Sequence, residues 1–138
     1  MRRLALSLCA AGLFFAGCKQ QKPTESVTLS SDEPKAGETI TLTYDPTGTN
    51  LKGKGTPDCI VYLMDDKKNP AVDVDLKAEG QLFKGSFTVP ADTKLIAVKL
   101  YQDTAIDNNK KQGYSFMIYK DGKPVTVAAT IEVNFRLL

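Results

Sequence analysis

Thr39-Ile40-Thr41-Leu42-Thr43-Tyr44 alternates apolar and polar side chains without a break. In a strand successive side chains point to opposite faces, so Ile40, Leu42 and Tyr44 share one face and the three threonines the other. Threonine is branched at Cβ and stiff at χ1, which favours a pleated strand over a helix. The stretch therefore predicts a half-buried strand, and its surroundings repeat the pattern. Upstream, Val27-Thr28-Leu29 begins a strand, and Asp32 to Glu38 is a turn-rich break containing Pro34 and Gly37. Downstream, Asp45 to Asp58 carries Gly48, Gly53, Gly55, Pro46 and Pro57, the composition of a long loop; such loops are uncommon unless functional or flexible.

The second half keeps the rhythm. Asp58 to Met64 has the composition of a core strand, Ala71 to Ala78 reads as another, and Glu79-Gly80 turns the chain into Gln81 to Val89. Pro90-Ala91-Asp92 breaks it. Lys94 to Tyr101 follows with Ile96, Val98 and Leu100 inward. Asp103 to Gly113 reads as a polar loop, and Gly113 to Tyr119 as a strand with Tyr114, Phe116 and Ile118 on one face. Asp121-Gly122 is a strong hairpin signal. Val125-Thr126-Val127 and the alternation Ile131, Val133, Phe135, Leu137 are expected to close the sheet. Short strands separated by turns, with no amphipathic helix, predict an all-β chain. Its expected architecture is an immunoglobulin-like β-sandwich of seven to eight strands, with a small closed barrel as the alternative.

The N-terminus has a different grammar. Arg2-Arg3, an apolar run from Leu4 to Phe15, and Ala16-Gly17-Cys18 have the outline of a bacterial lipoprotein signal. The run is too short for a membrane-spanning helix, which needs about 20 apolar residues. The expected organisation is a signal over residues 1–17, a polar tether over 18–26 and one sandwich domain over 27–138. Cys18 is the lipid attachment site, and the lipid bilayer is the first partner. Two or three acyl chains make a stable anchor where one is reversible. Lys19 follows the cysteine in place of the aspartate that often signals inner-membrane retention, and no acidic run follows to suggest export. The expected location is the outer membrane, with the domain facing the periplasm.

Processing would also reset the composition. The 138-residue chain has 18 Lys+Arg against 16 Asp+Glu, but Arg2 and Arg3 leave with the signal, so the remaining 121 residues carry 16 of each. No run of Lys/Arg exceeds two, so the sequence gives no nucleic-acid signature. Cys9 leaves with the signal and Cys18 is acylated, so Cys59 stands alone, in a strand where cysteine packs as a small hydrophobe. Without a Cys-x-x-Cys there is no thioredoxin-type redox centre. The chain has no histidine, which removes Ser-His and Cys-His catalysis and imidazole metal sites. Asp65-Asp66, Asp73 and Asp75 are the remaining acid–base candidates, and all sit in turn or strand-edge contexts among lysines. Neither they nor Asp107-Asn108-Asn109 has the spacing of a calcium loop, which supplies six or more oxygens. No enzyme and no cofactor are expected.

Pro34-Lys35-Ala36-Gly37-Glu38-Thr39-Ile40-Thr41-Leu42-Thr43-Tyr44-Asp45-Pro46, with Lys84-Gly85-Ser86-Phe87-Thr88-Val89-Pro90 and Asp107-Asn108-Asn109 before Gly113-Tyr114, resembles the N-terminal immunoglobulin-like region of thioredoxin-like bacterial lipoproteins. The resemblance runs from about Val27 to Val125. It implies a tethered β-domain; in that family helical repeats and a redox domain follow, and neither has a counterpart before Leu138. The expectation is a stand-alone module or a truncated form of a longer protein.

The Phe83 to Pro90 segment and Asp107-Asn108-Asn109 ahead of Tyr114 also resemble the order of elements in starch-binding carbohydrate-binding modules. Those stack sugars on tryptophan, one commonly just before the Asp-Asn-Asn; that position here is Ile106, and the chain has no tryptophan. Tyr101 and Tyr114 are the remaining candidate aromatic faces. The bland alternative for Asp107, Asn108 and Asn109 is that their side chains shape a turn. The favoured expectation is a non-catalytic interaction or spacer module with an envelope protein partner, presenting the Asp45–Asp58 and Asp103–Gly113 loops. A glycan is the alternative partner, through Asp107, Asn108, Asn109 and Tyr114. An enzyme role through a redox partner encoded elsewhere is the third.

Overall fold

A computed structural model describes residues 25–125. The predicted signal, Cys18, most of the tether and the predicted closing strand at Ile131–Leu137 lie outside the described residues. Among those described there is no helix, and the strands form two main antiparallel sheets and a small hairpin.

The first sheet contains β1 (Val27–Leu29), β2 (Thr39–Tyr44), β5 (Lys77–Glu79) and β6 (Leu82–Thr88), in the order β1-β2-β6-β5. The second contains β3 (Asp58–Met64), β4 (Ala71–Asp73), β7 (Leu95–Gln102), β8 (Ala105–Asp107) and β9 (Tyr114–Met117). Here β4 pairs with β3 and β3 with β7, while β8 and β9 lie one after the other along the far side of β7. A hairpin of β10 (Tyr119–Lys120) and β11 (Lys123–Pro124) follows. With β8 and β9 sharing one lane, the two main sheets have eight strand positions, in the order of an immunoglobulin-like sandwich with an extra strand beside the third. Two separate sheets replace the closed barrel.

Alternation builds the interior. Ile40, Leu42 and Tyr44 of the first sheet face Cys59, Val61, Leu63, Ile96, Val98 and Leu100 of the second in one apolar core. Each fully buried aliphatic side chain of this kind contributes about 1.5–3 kcal/mol. The opposite parity of β7 is apolar as well: Leu95 and Ala97 join Met64 in a smaller cluster on the outer face, against Tyr62.

The structure corrects three sequence expectations. Ala71–Ala78 is two strands in different sheets, because Val74 and Leu76 are both buried where the chain crosses from one sheet to the other. Alternation gives the inward parity there but not which sheet receives it. The crossing fits over Gly85, where a Cβ would stand 2.5 Å from Val74 Cγ1 and 2.9 Å from the Asp75 carbonyl oxygen. The 103–113 segment contains the strand β8, and its loop proper is only Asn108 to Gly113, closed by the Gly113 N–H donating to the Asn108 carbonyl at 2.9 Å. The Gly113–Tyr119 strand ends at Met117, and the hairpin begins two residues later. The Asp45–Asp58 loop carries a core residue, Leu51, 2% exposed.

Candidate functional site at the loop end

Tyr44 ends β2 in the first sheet, whereas Asp107 ends β8 and Tyr114 begins β9 in the second. Their side chains meet between the sheets: the Tyr44 and Tyr114 hydroxyls each donate to Asp107 Oδ2 at 2.8 Å. Asp107 is 7% exposed and Tyr114 6%. Asp107 Oδ1 accepts the Asn109 backbone N–H at 3.1 Å. Burial pushes both phenols above their ordinary value, and the Asp107 carboxylate beside them adds to the rise. A buried carboxylate with each oxygen engaged is a cross-link between sheets.

The same hub fixes the two loops predicted to carry function. Thr49 Oγ1 lies 2.9 Å from the Tyr44 hydroxyl and 2.9 Å from the Pro46 carbonyl, and the Asn50 side-chain amide donates to the Ile106 carbonyl at 2.8 Å. These bonds hold the Asp45–Asp58 loop against β8. On the other loop, Asn109, Lys110 and Lys111 have φ of 50°, 55° and 73°, three successive left-handed residues without a glycine. L-residues pay for that conformation, about 1–2 kcal/mol each. Local bonds hold it: Asn108 Oδ1 accepts the Lys111 N–H, the Asn109 carbonyl accepts the Gln112 N–H, and Asn109 Nδ2 donates to the Gly113 carbonyl at 2.9 Å.

Between this turn, the start of the Asp45–Asp58 loop and the entry of the chain lies a cleft of about 760 Å³. Ser26, Thr47 and Gln112 give it hydrogen-bonding groups, Lys110 and Lys111 positive charge beside the Glu25 carboxylate, and Phe116 apolar surface. Its walls suit recognition of a polar or peptide-like surface.

Sequence reasoning placed Asp107, Asn108, Asn109 and Tyr114 together, and the structure brings them together at this end. Their roles divide. Asp107 and Tyr114 belong to the interior, so the Tyr114 ring offers no open face for stacking; Asn108 and Asn109 shape the turn. Tyr101 is half-buried on the outer face, with Lys99 Nζ 5.8 Å from its ring centroid and Ile106, 44% exposed, opposite it. The part of Tyr44 and Thr49 in the site was missed, because their partner lies 63 residues away for Tyr44. The left-handed run was also missed, since Asn-Lys-Lys contains none of the glycine that normally announces it.

The other reactive candidates are dispersed. Asp65 Oδ1 accepts the Lys67 and Lys68 backbone N–H groups, which hold its carboxyl below the usual range. Asp66 pairs with Lys94, and Asp73 and Asp75 are exposed. Among the described residues no three His, Cys, Asp or Glu side chains are grouped to hold a metal. Cys59 is buried, and burial pushes its thiol up to about 12. No protein-family model matches this chain, and neither does any curated protein.

Proposed function

We propose that this protein is an envelope lipoprotein, anchored in the outer membrane through acylated Cys18 and facing the periplasm. Its immunoglobulin-like domain is a non-catalytic interaction or spacer module that meets an envelope protein through its loop end. In this reading the domain resembles the N-terminal immunoglobulin-like domain of thioredoxin-like lipoproteins. The observation that carries the reading is the cleft itself, the meeting point of both long loops and the strained Asn109–Lys111 turn, beside a carboxylate committed to the framework. Strained backbone persists where the surroundings over-determine it, and such places cluster at functional sites.

The anchor is tested by the mass of the N-terminal peptide from envelope-derived protein. A chain beginning at a diacylglyceryl-modified Cys18 is expected; an unmodified Cys18, or a chain beginning at Met1, removes the anchor. For the interaction, site-specific photo-crosslinking from Gln112 in living cells should give a discrete adduct that is lost from a probe at Lys68, on the opposite end of the domain. Of the two rings named for the glycan alternative, Tyr101 is the accessible one. Retention on insoluble starch that disappears in Tyr101→Ala would replace the protein partner with a sugar.

A further inference from the structure

An antiparallel sheet with one face on the core normally turns polar side chains to water on the other. The second sheet breaks that rule. Its outer face carries Ile60, Tyr62 and Tyr101, each half-buried, and Ile106 and Met117, each 44% exposed. These surround the small cluster of Met64, Leu95 and Ala97.

The pairing registers lay this face out in rows. Across β4, β3 and β7, Asp73, Ile60 and Lys99 stand side by side, and the next row is Ala71, Tyr62 and Ala97. The first row runs acid, apolar, base. Turned over about its centre, such a row sets each charge against its opposite. The second row is lopsided in shape: Tyr62 packs on the cluster of Met64, Leu95 and Ala97, two of which belong to β7, and Ala71 is left exposed on the β4 side. Turned over about the same centre, each ring comes to lie over the open Ala71 of the other copy. One operation therefore matches both rows: a two-fold axis along β3, in the plane between two sheets packed face to face. A two-fold contact uses the same patch on both copies and must be self-complementary, as this one is. Asp58 meets its own copy under this operation, but it begins β3 at the rim, where aligned sheets crossing at about 30° diverge.

We infer that the outer face of β4, β3 and β7 is a homodimer interface, closed by two Lys99–Asp73 ion pairs between copies and by each Tyr62 seated on Ala71 of the other copy. A face four strands wide at about 4.8 Å spacing and about seven residues tall covers about 450 Å² per copy, or about 900 Å² in all. Standard interfaces bury more than roughly 1,200 Å², so the dimer is of the transient class. The inference rests on neither the lipid anchor nor the loop-end cleft.

Charge reversal in the full chain tests it. A photo-crosslinking phenylalanine in place of Tyr62 should give, in living cells, an adduct of two copies of this chain that maps to β4 of the second copy. Lys99→Asp sets two carboxylates together and Asp73→Lys two ammonium groups, so each alone should lower the adduct about tenfold. Combined, they restore the opposite pairing and should return the yield to within about twofold. An adduct with another protein only, undiminished yield in the single variants, or a double variant as low as the singles overturns the inference. In the unsubstituted full chain, carbodiimide coupling of a mixture of isotope-labelled and unlabelled copies at millimolar concentration should give a mixed-isotope peptide joining Lys99 to Asp73. Its absence overturns the inference however the variants fold.

Discussion

At the hairpin end, Asp121 and Gly122 turn the chain with φ of 53° and 72°; at the loop end, Asn109, Lys110 and Lys111 do so with φ of 50°, 55° and 73°. The first turn uses the residues that such a turn favours, and its partners are backbone alone. The second uses residues that disfavour the conformation and is held by an exterior set of amide bonds and an interior carboxylate. One end is therefore shaped by local preference, and the other by a buried hub that ties two sheets and two loops together. The difference is a reason to place function at the end where the backbone is held against its preference.

Removing the hub is the strongest way to break this contrast. Asp107→Ala leaves two buried phenol hydroxyls and the Asn109 N–H without their acceptor, and should cost about 3 kcal/mol in denaturant unfolding. Ile118→Val, a trimmed methylene in the apolar packing near the hairpin end, should cost about 1 kcal/mol. If the two variants unfold at the same denaturant concentration, the hub is not what distinguishes the loop end.

These two ends also mark where the sequence was legible. Alternation named the inward residues of β2 and β7 correctly, because a two-residue period against the core between the sheets leaves no other choice. Asp-Gly located the hairpin for an equally local reason. The pairing of Tyr44 with Asp107 is not local, and nothing in either segment encodes the other. The crossing at Val74–Leu76 escaped notice because a strand passing between sheets keeps its parity. The candidate site was half visible: its loops and Asp107, Asn108, Asn109 and Tyr114 were named, while their division between framework and surface depended on burial.

Alkaline titration is the next largest expected effect. The phenols of Tyr44 and Tyr114 are raised above 10.0 by burial and by Asp107, and the Cys59 thiol rises by burial from 9.0 to about 12. All three are neutral when protonated, so the folded chain keeps protons that the unfolded chain releases. Their contribution is complete below pH 9 and is lost as pH rises, first through Cys59 and then, above 10, through the tyrosines. Each group ionised only in the unfolded chain lowers stability by about 1.4 kcal/mol per pH unit. All three lie in the half of the sandwich nearer the loop end. Replacing both tyrosines with Phe should flatten the decline above pH 10, measured as the slope of unfolding free energy against pH. An unchanged slope would show that the hub does not hold those protons.

The smallest effect is the most discriminating, because the two ends should answer with opposite signs. Gly122 has φ of 72° and open space where a Cβ would stand, so Gly122→Ala adds conformational strain without a clash and should lose about 1 kcal/mol. Lys111 has almost the same φ but already carries a side chain. Lys111→Gly relieves left-handed strain of about 1–2 kcal/mol against a glycine entropy cost of about 0.5–1 kcal/mol, and should gain several tenths of a kcal/mol. The gain in stability should come with weaker crosslinking from Gln112 if the strained turn presents the contact surface. Stabilisation with undiminished crosslinking would mean that the turn's conformation is a cost of connecting β8 to β9, and that the interaction lies elsewhere on the domain.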